Sequence, residues 1–152
     1  MIGRPTLSMR PASEGDLGAV LQLLRDDKLG TARETDSLQP YEAAFAKILH
    51  DPNAAILLAT LDSDVIGCAQ VNILANISLK ATTRAQIEGV RIASRHRSAG
   101  YGADFLNLLE GYCRARGCGL MQLTTNTQRE DALRFYTAHG FEKSHYGLKK
   151  AL

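Results

Sequence analysis

The sequence has little cysteine, little excess charge and no long apolar segment, and each shortage excludes a class of protein. Its three cysteines, Cys68, Cys113 and Cys118, form no Cys-x-x-Cys pair, which argues against a disulfide framework and a zinc site. The net charge of +2 is too small to indicate a nucleic-acid partner. The longest apolar run, Ala54–Ala59, is far too short to span a bilayer, and the first residues lack the apolar core of a signal peptide. We therefore expect a cytoplasmic protein with no metal, nucleic-acid or membrane partner.

The composition that remains is that of an ordinary globular protein. The chain has 152 residues, of which 45% are hydrophobic and 22% charged, and it shows no repeat, linker or low-complexity segment. This predicts one domain over residues 1–152 with a core of two or three layers. Cys68 lies in a strand pattern and Cys113 on a helix stripe, so we interpret both as buried small side chains, with a nucleophilic cysteine as the alternative.

Hydrophobic spacing predicts the order β-α-α-β-β-β-α-β-α-β. This order indicates an α/β fold with a mixed sheet, mostly antiparallel N-terminal strands, a parallel strand pair, and helices on both faces. The predicted elements are a strand Thr6–Arg10, a helix from Ser13 to near Asp27, a loop Leu29–Gln39, a helix after Pro40, a hairpin of Ala55–Leu61 and Val65–Ile73, a strand Ala85–Ala93, a helix ending before Gly117, a strand Leu120–Thr125, a helix Arg129–His139, and a final hairpin of Phe141–Ser144 and Tyr146–Lys150.

The most informative stretch is the segment Arg97-Ser98-Ala99-Gly100-Tyr101-Gly102, which joins the strand ending at Ala93 to a helix. A strand that feeds a helix through two glycines gathers free backbone N–H groups beside a helix N-terminus, and such a point binds phosphate. The dinucleotide pattern Gly-x-Gly-x-x-Gly fails, because Phe105 stands at its third glycine, and no P-loop pattern occurs. A tight turn without a ligand is the structural alternative.

Three ordered segments resemble the GNAT N-acetyltransferase superfamily along nearly the whole chain. They are Ile87–Ile92 as the central strand, Arg97–Gly102 as its pyrophosphate loop, and the run from Asn126 through Phe135-Tyr136 to His139-Gly140-Phe141-Glu142. Ser94 and Ser98 replace the Pro and Gly of many relatives, which a loop that binds through main-chain amides tolerates. The N-terminal half, where the superfamily builds its acceptor pocket, matches only in outline.

The resemblance implies that the chain transfers acetyl from acetyl-CoA to an amine nitrogen. It implies that loop amides bind the pyrophosphate, that the central strand pairs with the pantetheine arm, that the two parallel strands splay apart, and that Arg97 and Asn126 contact the cofactor. The implied cofactor-binding residues are Val90, Arg91, Ile92, Arg97, Ser98, Ala99, Gly100, Tyr101, Gly102, Ala103, Asn126 and Tyr136.

Two residues are the candidates for proton transfer. Glu88 is the candidate general base for the protonated amine, with a solvent-facing or Arg-paired side chain as the alternative. Alternation places Glu88, Val90 and Ile92 on one face of the strand unless a bulge intervenes. Tyr136 is the candidate acid for the leaving thiolate, with core packing beside Phe135 as the alternative. Asn126 could also simply cap the next helix.

Other functions of the same fold remain possible at this stage. One is a CoA-binding regulatory or sensing module without turnover, and another is an acyltransferase that uses a longer acyl-CoA. The acceptor amine, small molecule or protein, is not defined by the sequence, and a homodimer is implied only by analogy with the superfamily.

Overall fold

The structure, a computed structural model, describes residues 3–152. The chain forms two compact units, of which the first ends at Gln122 and the second is Leu123–Leu152. In the described residues the first unit contains the whole sheet, five α-helices and two 3-10 helices, and the second contains one α-helix. The single domain expected over residues 1–152 stays a prediction.

Five strands form one sheet in the order in which they follow along the chain. They are β1 (Ser8–Pro11), β2 (Ala54–Leu61), β3 (Asp64–Leu74), β4 (Arg84–Ile92) and β5 (Leu120–Gln122). Neighbours from β1 to β4 pair antiparallel, and β4 pairs with β5 in parallel. The mixed sheet and its mostly antiparallel N-terminal part confirm the predicted fold class.

Helices fill the connections between strands. They are α1 (Leu17–Leu24), α2 (Lys28–Arg33), α3 (Gln39–His50), α4 (Ser78–Ala81), α5 (Tyr101–Ala115) and α6 (Glu130–Ala138). α4 is a single turn in which Leu79, Lys80 and Ala81 are left-handed. Within residues 3–152 no helix is long and apolar enough to cross a membrane.

Both faces of the sheet are buried by helices. The cluster on one face joins apolar residues of α1 and α3 to alternate residues of β2 and β3, including Leu21, Phe45 and Leu58. Leu57, which alternation places on the opposite face of β2, is also buried at 2% exposure. On α5, which contacts β4, Phe105 and Leu109 are fully buried at helical spacing. The continuous apolar run of β2 therefore reflects a strand covered on both sides.

The start of α1 is fixed by a carboxylate. Asp16 accepts hydrogen bonds from the Ser13 backbone N–H at 2.8 Å and from both terminal nitrogens of Arg10, at 2.9 and 3.0 Å. The Arg10 guanidinium and the Ser13 donors hold the pKa of Asp16 well below its usual range. The helix start predicted from Ser13 and Asp16 is thus confirmed.

Three sequence predictions were wrong. The predicted loop Leu29–Gln39 contains most of α2, because the Asp27 carboxylate caps it by accepting from the Gly30 N–H at 2.5 Å. The strand predicted to reach Thr125 ends at Gln122. The final hairpin is absent: residues 141–152, all of them described, contain no strand. Tyr146 and Leu148 are each 91% exposed. The alternating apolar residues therefore bury no apolar surface that would stabilise a pair of strands.

Candidate functional site

The second half of β4 has an edge that β5 does not cover. In the described residues the β4–β5 ladder extends from Arg84 to Gln86, whereas β4 continues to Ile92. The Ala93 N–H donates to Ile66 O at 2.7 Å on β3, so alternation directs the main-chain groups of Ile92 to the opposite, uncovered edge. A ligand chain could therefore add to β4 at this edge as a strand would.

A bulge at Gly89 divides β4 into two halves. Glu88 is in register with Gln70 and Arg91 with Cys68, so β4 carries one more residue than β3 across this interval. Gly89 has φ of +61°, a left-handed conformation that suits glycine at the first position of such a bulge. The bulge that the sequence analysis allowed for is therefore present, and its extra residue reverses the alternation, so Glu88 and Ile92 lie on opposite faces.

Glu88 lies on the sheet face that carries the α1 cluster, since its register partner Gln70 alternates with Cys68 of that cluster. Its side chain is exposed. No cation in residues 3–152 forms an ion pair with it. The Arg-paired alternative is thus not observed, and the carboxylate is accessible from solvent.

A buried thiol, that of Cys68, contacts the main chain of the bulge. Cys68 is 2% exposed, and its Sγ lies 3.6 Å from Gly89 O. Burial raises the pKa of Cys68 to about 12 and that of Cys113 to about 11. Both side chains are protonated thiols at neutral pH, so the structure disfavours a nucleophilic role for them.

The predicted phosphate loop lies at the N-terminus of α5. Ser98 and Gly100 are left-handed, with φ of +62° and +87°, and the helix begins at Tyr101. Ala99 O accepts a hydrogen bond from the Arg4 guanidinium, and because the peptide is planar and trans the Gly100 N–H points away from Arg4. The loop amides of Gly100, Tyr101, Gly102 and Ala103 stand at the positive end of the helix dipole.

Arg4 is a site residue that the sequence analysis missed. Its guanidinium lies 4.5 Å from the centre of the Tyr101 ring and forms an ion pair with Asp104 at 2.5 Å. It also lies 2.7 Å from the position that a Cβ on Gly100 would occupy. Arg4 thus packs over the glycine of the loop from a position 95 residues away from Ala99, and no local pattern in the sequence signals this contact.

Asp26 is a second residue that sequence reasoning missed. Its carboxylate accepts from the Ser94 N–H at 2.7 Å, and its carbonyl accepts from Arg97 Nη2 at the same distance. Arg97 Nε also donates to Ile92 O at 3.0 Å. Arg97 therefore ties the start of the loop to β4 and to the segment after α1, and its predicted contact with the cofactor stays a prediction. The acidic pair Asp26-Asp27 after α1 was the only available signal.

The α1–α2 junction also borders a cleft of about 530 Å³. It is lined by Arg25, Asp26, Asp27, Lys28, Thr31 and Ala32. Arg91 reaches toward this junction, with Nε 4.0 Å from the Asp27 carboxylate and Nη1 donating to Val90 O at 2.9 Å. The junction thus contacts two parts of the site. Asp26 binds the start of the loop, and Asp27 lies beside Arg91 of β4.

The second unit carries the two remaining predicted residues. Tyr136 is half-buried on α6, with its ring centre 5.3 Å from that of Phe135 and 5.4 Å from that of Phe141. Asn126 Oδ1 accepts from the Gln128 N–H at 2.9 Å in the turn before α6. It does not cap that helix, because the N-cap position is Arg129 and no side chain caps it. Contact of either residue with a cofactor stays a prediction.

Comparisons of the sequence and the fold with known proteins identify the family to which the chain belongs. Residues 18–141 match the Acetyltransferase (GNAT) family. The chain is 28% identical over 148 residues to an aminoalkylphosphonate N-acetyltransferase of Salmonella typhimurium, covering 97% of this chain and 93% of the relative. The crystal structure of a transcriptional regulator from Bacillus halodurans is 38% identical with a TM-score of 0.91, covering 97% of this chain and all of that one.

A Trypanosoma brucei acetyltransferase structure has a TM-score of 0.77 at 24% identity, covering 97% of this chain and all of that one. At this identity the likeness shows the fold alone. The match to the family, by contrast, extends over most of the sequence and includes β4, the glycine loop and α6. The chain accordingly belongs to the GNAT family of acetyltransferases.

Proposed function

We propose that this protein transfers the acetyl group of acetyl-CoA to the primary amine of a small molecule. The observation that carries the proposal is the half-covered strand β4, whose open edge leads directly into a left-handed loop at the N-terminus of α5. An extended acyl carrier that ends in a diphosphate needs both features together: an unpaired edge for its amide-containing arm and backbone N–H groups for its phosphates.

Members of the family use acetyl-CoA, and the residues of this chain fit that group. The loop from Ser98 to Ala103 supplies N–H donors and the helix dipole for the diphosphate, without a bulky side chain at Gly100. The outward-facing main chain near Ile92 supports pairing with the pantetheine arm. Arg97, held by Asp26 and Ile92, supports this site by fixing the loop.

Two side chains are proposed to move the protons of the reaction. The amine arrives as an ammonium ion and loses one proton before attack. Its nitrogen then forms a bond to the thioester carbonyl carbon, the carbon–sulfur bond breaks, and the nitrogen loses a second proton while the sulfur gains one, so that one proton is released to solvent overall. Glu88, exposed and without an ion pair in the described structure, accepts the proton from the amine. Tyr136, by resemblance, donates the proton to the thiolate.

A small-molecule acceptor is favoured over a protein amine by the relative from Salmonella typhimurium. Its name describes a substrate that carries an amino group and a phosphonate on an alkyl chain. The similarity extends over 97% of this chain, including the N-terminal half in which the acceptor site is expected. We extend to this chain only the class, a small primary amine.

The decisive experiment measures CoA release with acetyl-CoA and a panel of amines. The panel contains aminoalkylphosphonates, polyamines, amino acids, aminoglycosides and lysine peptides, and product masses identify the acetylated nitrogen. We expect turnover with at least one small amine and none with lysine peptides. Acetyl-CoA binding without turnover on any amine would instead favour a regulatory module, the kind of role for which the Bacillus halodurans relative is named. Butyryl-CoA in place of acetyl-CoA tests the alternative of a longer acyl chain.

A further inference from the structure

The sheet face around Glu88 carries a group of polar side chains that the proposed chemistry does not use. Asn72, Gln86 and Gln122 stand in register across β3, β4 and β5, and we call them the carboxamide row. The Gln122 side chain donates to Gln86 Oε1 at 2.8 Å, so these two amides lie on one face. Both ends of the row are half-buried, as is Gln86 between them.

The row lies on the same face as the candidate base. Gln86 and Glu88 are two residues apart on β4, before the bulge, so alternation directs both side chains to one side. Gln70, which is in register with Glu88, donates to Asn72 Oδ1 at 2.8 Å, so the hydrogen-bonded amides extend to the residue beside the candidate base. The carboxamides on this part of the face offer donors and acceptors to a ligand, and each is costly to bury without a hydrogen-bond partner.

Arg84 stands at the end of this face that is farthest from Glu88. Its Nη1 donates to Gln122 Oε1 at 3.3 Å and its Nη2 donates to Ser78 Oγ at 3.0 Å, so both of these acceptors are uncharged. Within residues 3–152 no carboxylate lies within 4.0 Å of the guanidinium, and its buried Nε has no hydrogen-bond acceptor. A half-buried cation held by neutral groups alone is an unusual arrangement, because buried charges are normally paired.

The neighbours of Arg84 strengthen this argument. In register on either side are Leu74 and Leu120, which are 41% and 37% exposed. Apolar side chains beside a cation exclude water once a ligand covers them, and a lower local dielectric strengthens the attraction of the cation for an anion. The two leucines also offer a surface for the methylene groups of a ligand.

We propose that Arg84 and the carboxamide row bind an oxyanion on the acceptor, so that preferred acceptors are small amines that also carry a phosphonate, sulfonate or carboxylate. This inference rests on the proposed function, since it places the amine of the same molecule at Glu88. The Cα atoms of Arg84 and Glu88 are four strand residues apart, about 13 Å. The proposal therefore requires the Arg84 and Glu88 side chains to extend toward each other when a short amine with a terminal anion is bound.

The test compares acceptors that differ only in the anion. 2-Aminoethylphosphonate, taurine and β-alanine are measured against n-propylamine with acetyl-CoA at saturation. We expect KM to be at least about tenfold lower for the best anionic acceptor, which is the scale of one or two charged hydrogen bonds. Arg84→Gln should remove this difference while changing kcat/KM for n-propylamine and KM for acetyl-CoA by less than about twofold. Arg84→Lys should restore part of it.

The control is Arg114→Gln, which removes an exposed arginine on α5 that pairs with Glu110. It should leave every ratio unchanged. Equal KM values for anionic and neutral amines in the natural protein would overturn the proposal. An equal loss of kcat/KM for anionic and neutral amines in Arg84→Gln would overturn it as well. If Arg84→Gln does not fold, the natural protein is tested for competitive inhibition of n-propylamine acetylation by methylphosphonate. Inhibition supports the anion site, and its absence overturns the proposal.

Failure of the proposed function is distinguishable from failure of this inference. If no amine is acetylated, the function fails, and calorimetry with methylphosphonate on the unliganded protein still tests the anion site. Heat that is lost in Arg84→Gln and kept in Arg114→Gln supports the site, and absence of heat in all three proteins overturns it. If neutral amines are acetylated as well as anionic ones, the function stands and the inference falls.

Discussion

At the scale of single residues, Tyr136 and Glu88, the two residues proposed to transfer protons, have different surroundings. Tyr136 packs against the Phe135 and Phe141 rings, so its aromatic body is accounted for by contacts within its own unit. Those contacts need a ring and not a hydroxyl. Removing the hydroxyl therefore leaves the Phe135 and Phe141 ring contacts in place.

Removing only that hydroxyl separates the two roles. Tyr136→Phe should lower kcat by about 10²-fold, because the thiolate then leaves without a proton donor. KM for acetyl-CoA should stay nearly unchanged, since the ring contacts with Phe135 and Phe141 remain. Steady-state kinetics beside Tyr146→Phe, which alters a 91% exposed tyrosine of the same unit, checks this. An unaltered kcat would remove Tyr136 from the mechanism.

Glu88 permits a sharper test because its proposed task depends on pH. A primary amine is mostly protonated at pH 7, so a base is needed to generate the attacking nitrogen. Glu88→Gln should lower kcat/KM for the amine by about 10²-fold at pH 7, and the loss should shrink toward pH 10 as solvent deprotonates the amine. Rate profiles from pH 6 to 10 measure this, with Glu42→Gln on the exposed side of α3 as control. A loss that is constant with pH would assign Glu88 a structural role.

At the scale of elements, the carboxylate that starts α1 carries the clearest stability prediction. Asp16 binds Ser13 and Arg10, and the pKa of this carboxylate is lowered in the folded state. Asp16→Asn should therefore cost about 1–2 kcal/mol in the free energy of unfolding at pH 7, the scale of a lost helix cap. Asp131→Asn, at a carboxylate that is 96% exposed, should change stability by less than about 0.5 kcal/mol.

The pH dependence of this effect has a definite sign. A group with a lowered folded pKa stabilises the protein above its unfolded pKa, about 3.9 for Asp, and loses that contribution as pH falls through the folded value. The stability difference between the natural protein and Asp16→Asn should therefore be full above about pH 5 and disappear at lower pH. Urea unfolding at several pH values measures it. A difference that persists undiminished at pH 2 would contradict the assigned contacts.

The same elements show how much the sequence could predict. The strands and long helices were predictable because their signals are local: the short apolar run of β2, and Phe105 and Leu109 at helical spacing on α5. The glycine loop was predictable as a loop for the same reason. The short helix α2 was not, because its stability comes from the Asp27 cap and too few residues carry a periodic pattern.

Site details that depend on register or on distant contacts could not be predicted. A lone glycine in a strand permits a bulge without requiring one, so the side of Glu88 relative to Ile92 was undetermined until β3 and β4 were aligned. The pair between Arg4 and Asp104 joins residues 100 positions apart, and a single sequence contains no signal for it. The engagement of Arg97 by Asp26 is hidden for the same reason.

At the scale of the whole molecule, cofactor binding should be visible as added stability. A ligand that binds only the folded state at a concentration of 100 Kd contributes about 2.7 kcal/mol, which for a chain of this length raises the melting temperature by about 5–10 °C. This shift reports on binding and not on chemistry. Proteins with Glu88→Gln or Tyr136→Phe should therefore show it in full with acetyl-CoA.

The loop variant should lose the shift. Gly100 is left-handed, and a side chain there meets the Arg4 guanidinium, so Gly100→Val distorts the loop whose amides are proposed to hold the diphosphate. Its own melting temperature falls, but the decisive quantity is the change on adding acetyl-CoA, which should drop to near zero. Gly111→Ala on α5 meets open space and should keep the full shift. Thermal unfolding with and without ligand measures all four variants, and a full shift in Gly100→Val would mean that the diphosphate binds elsewhere.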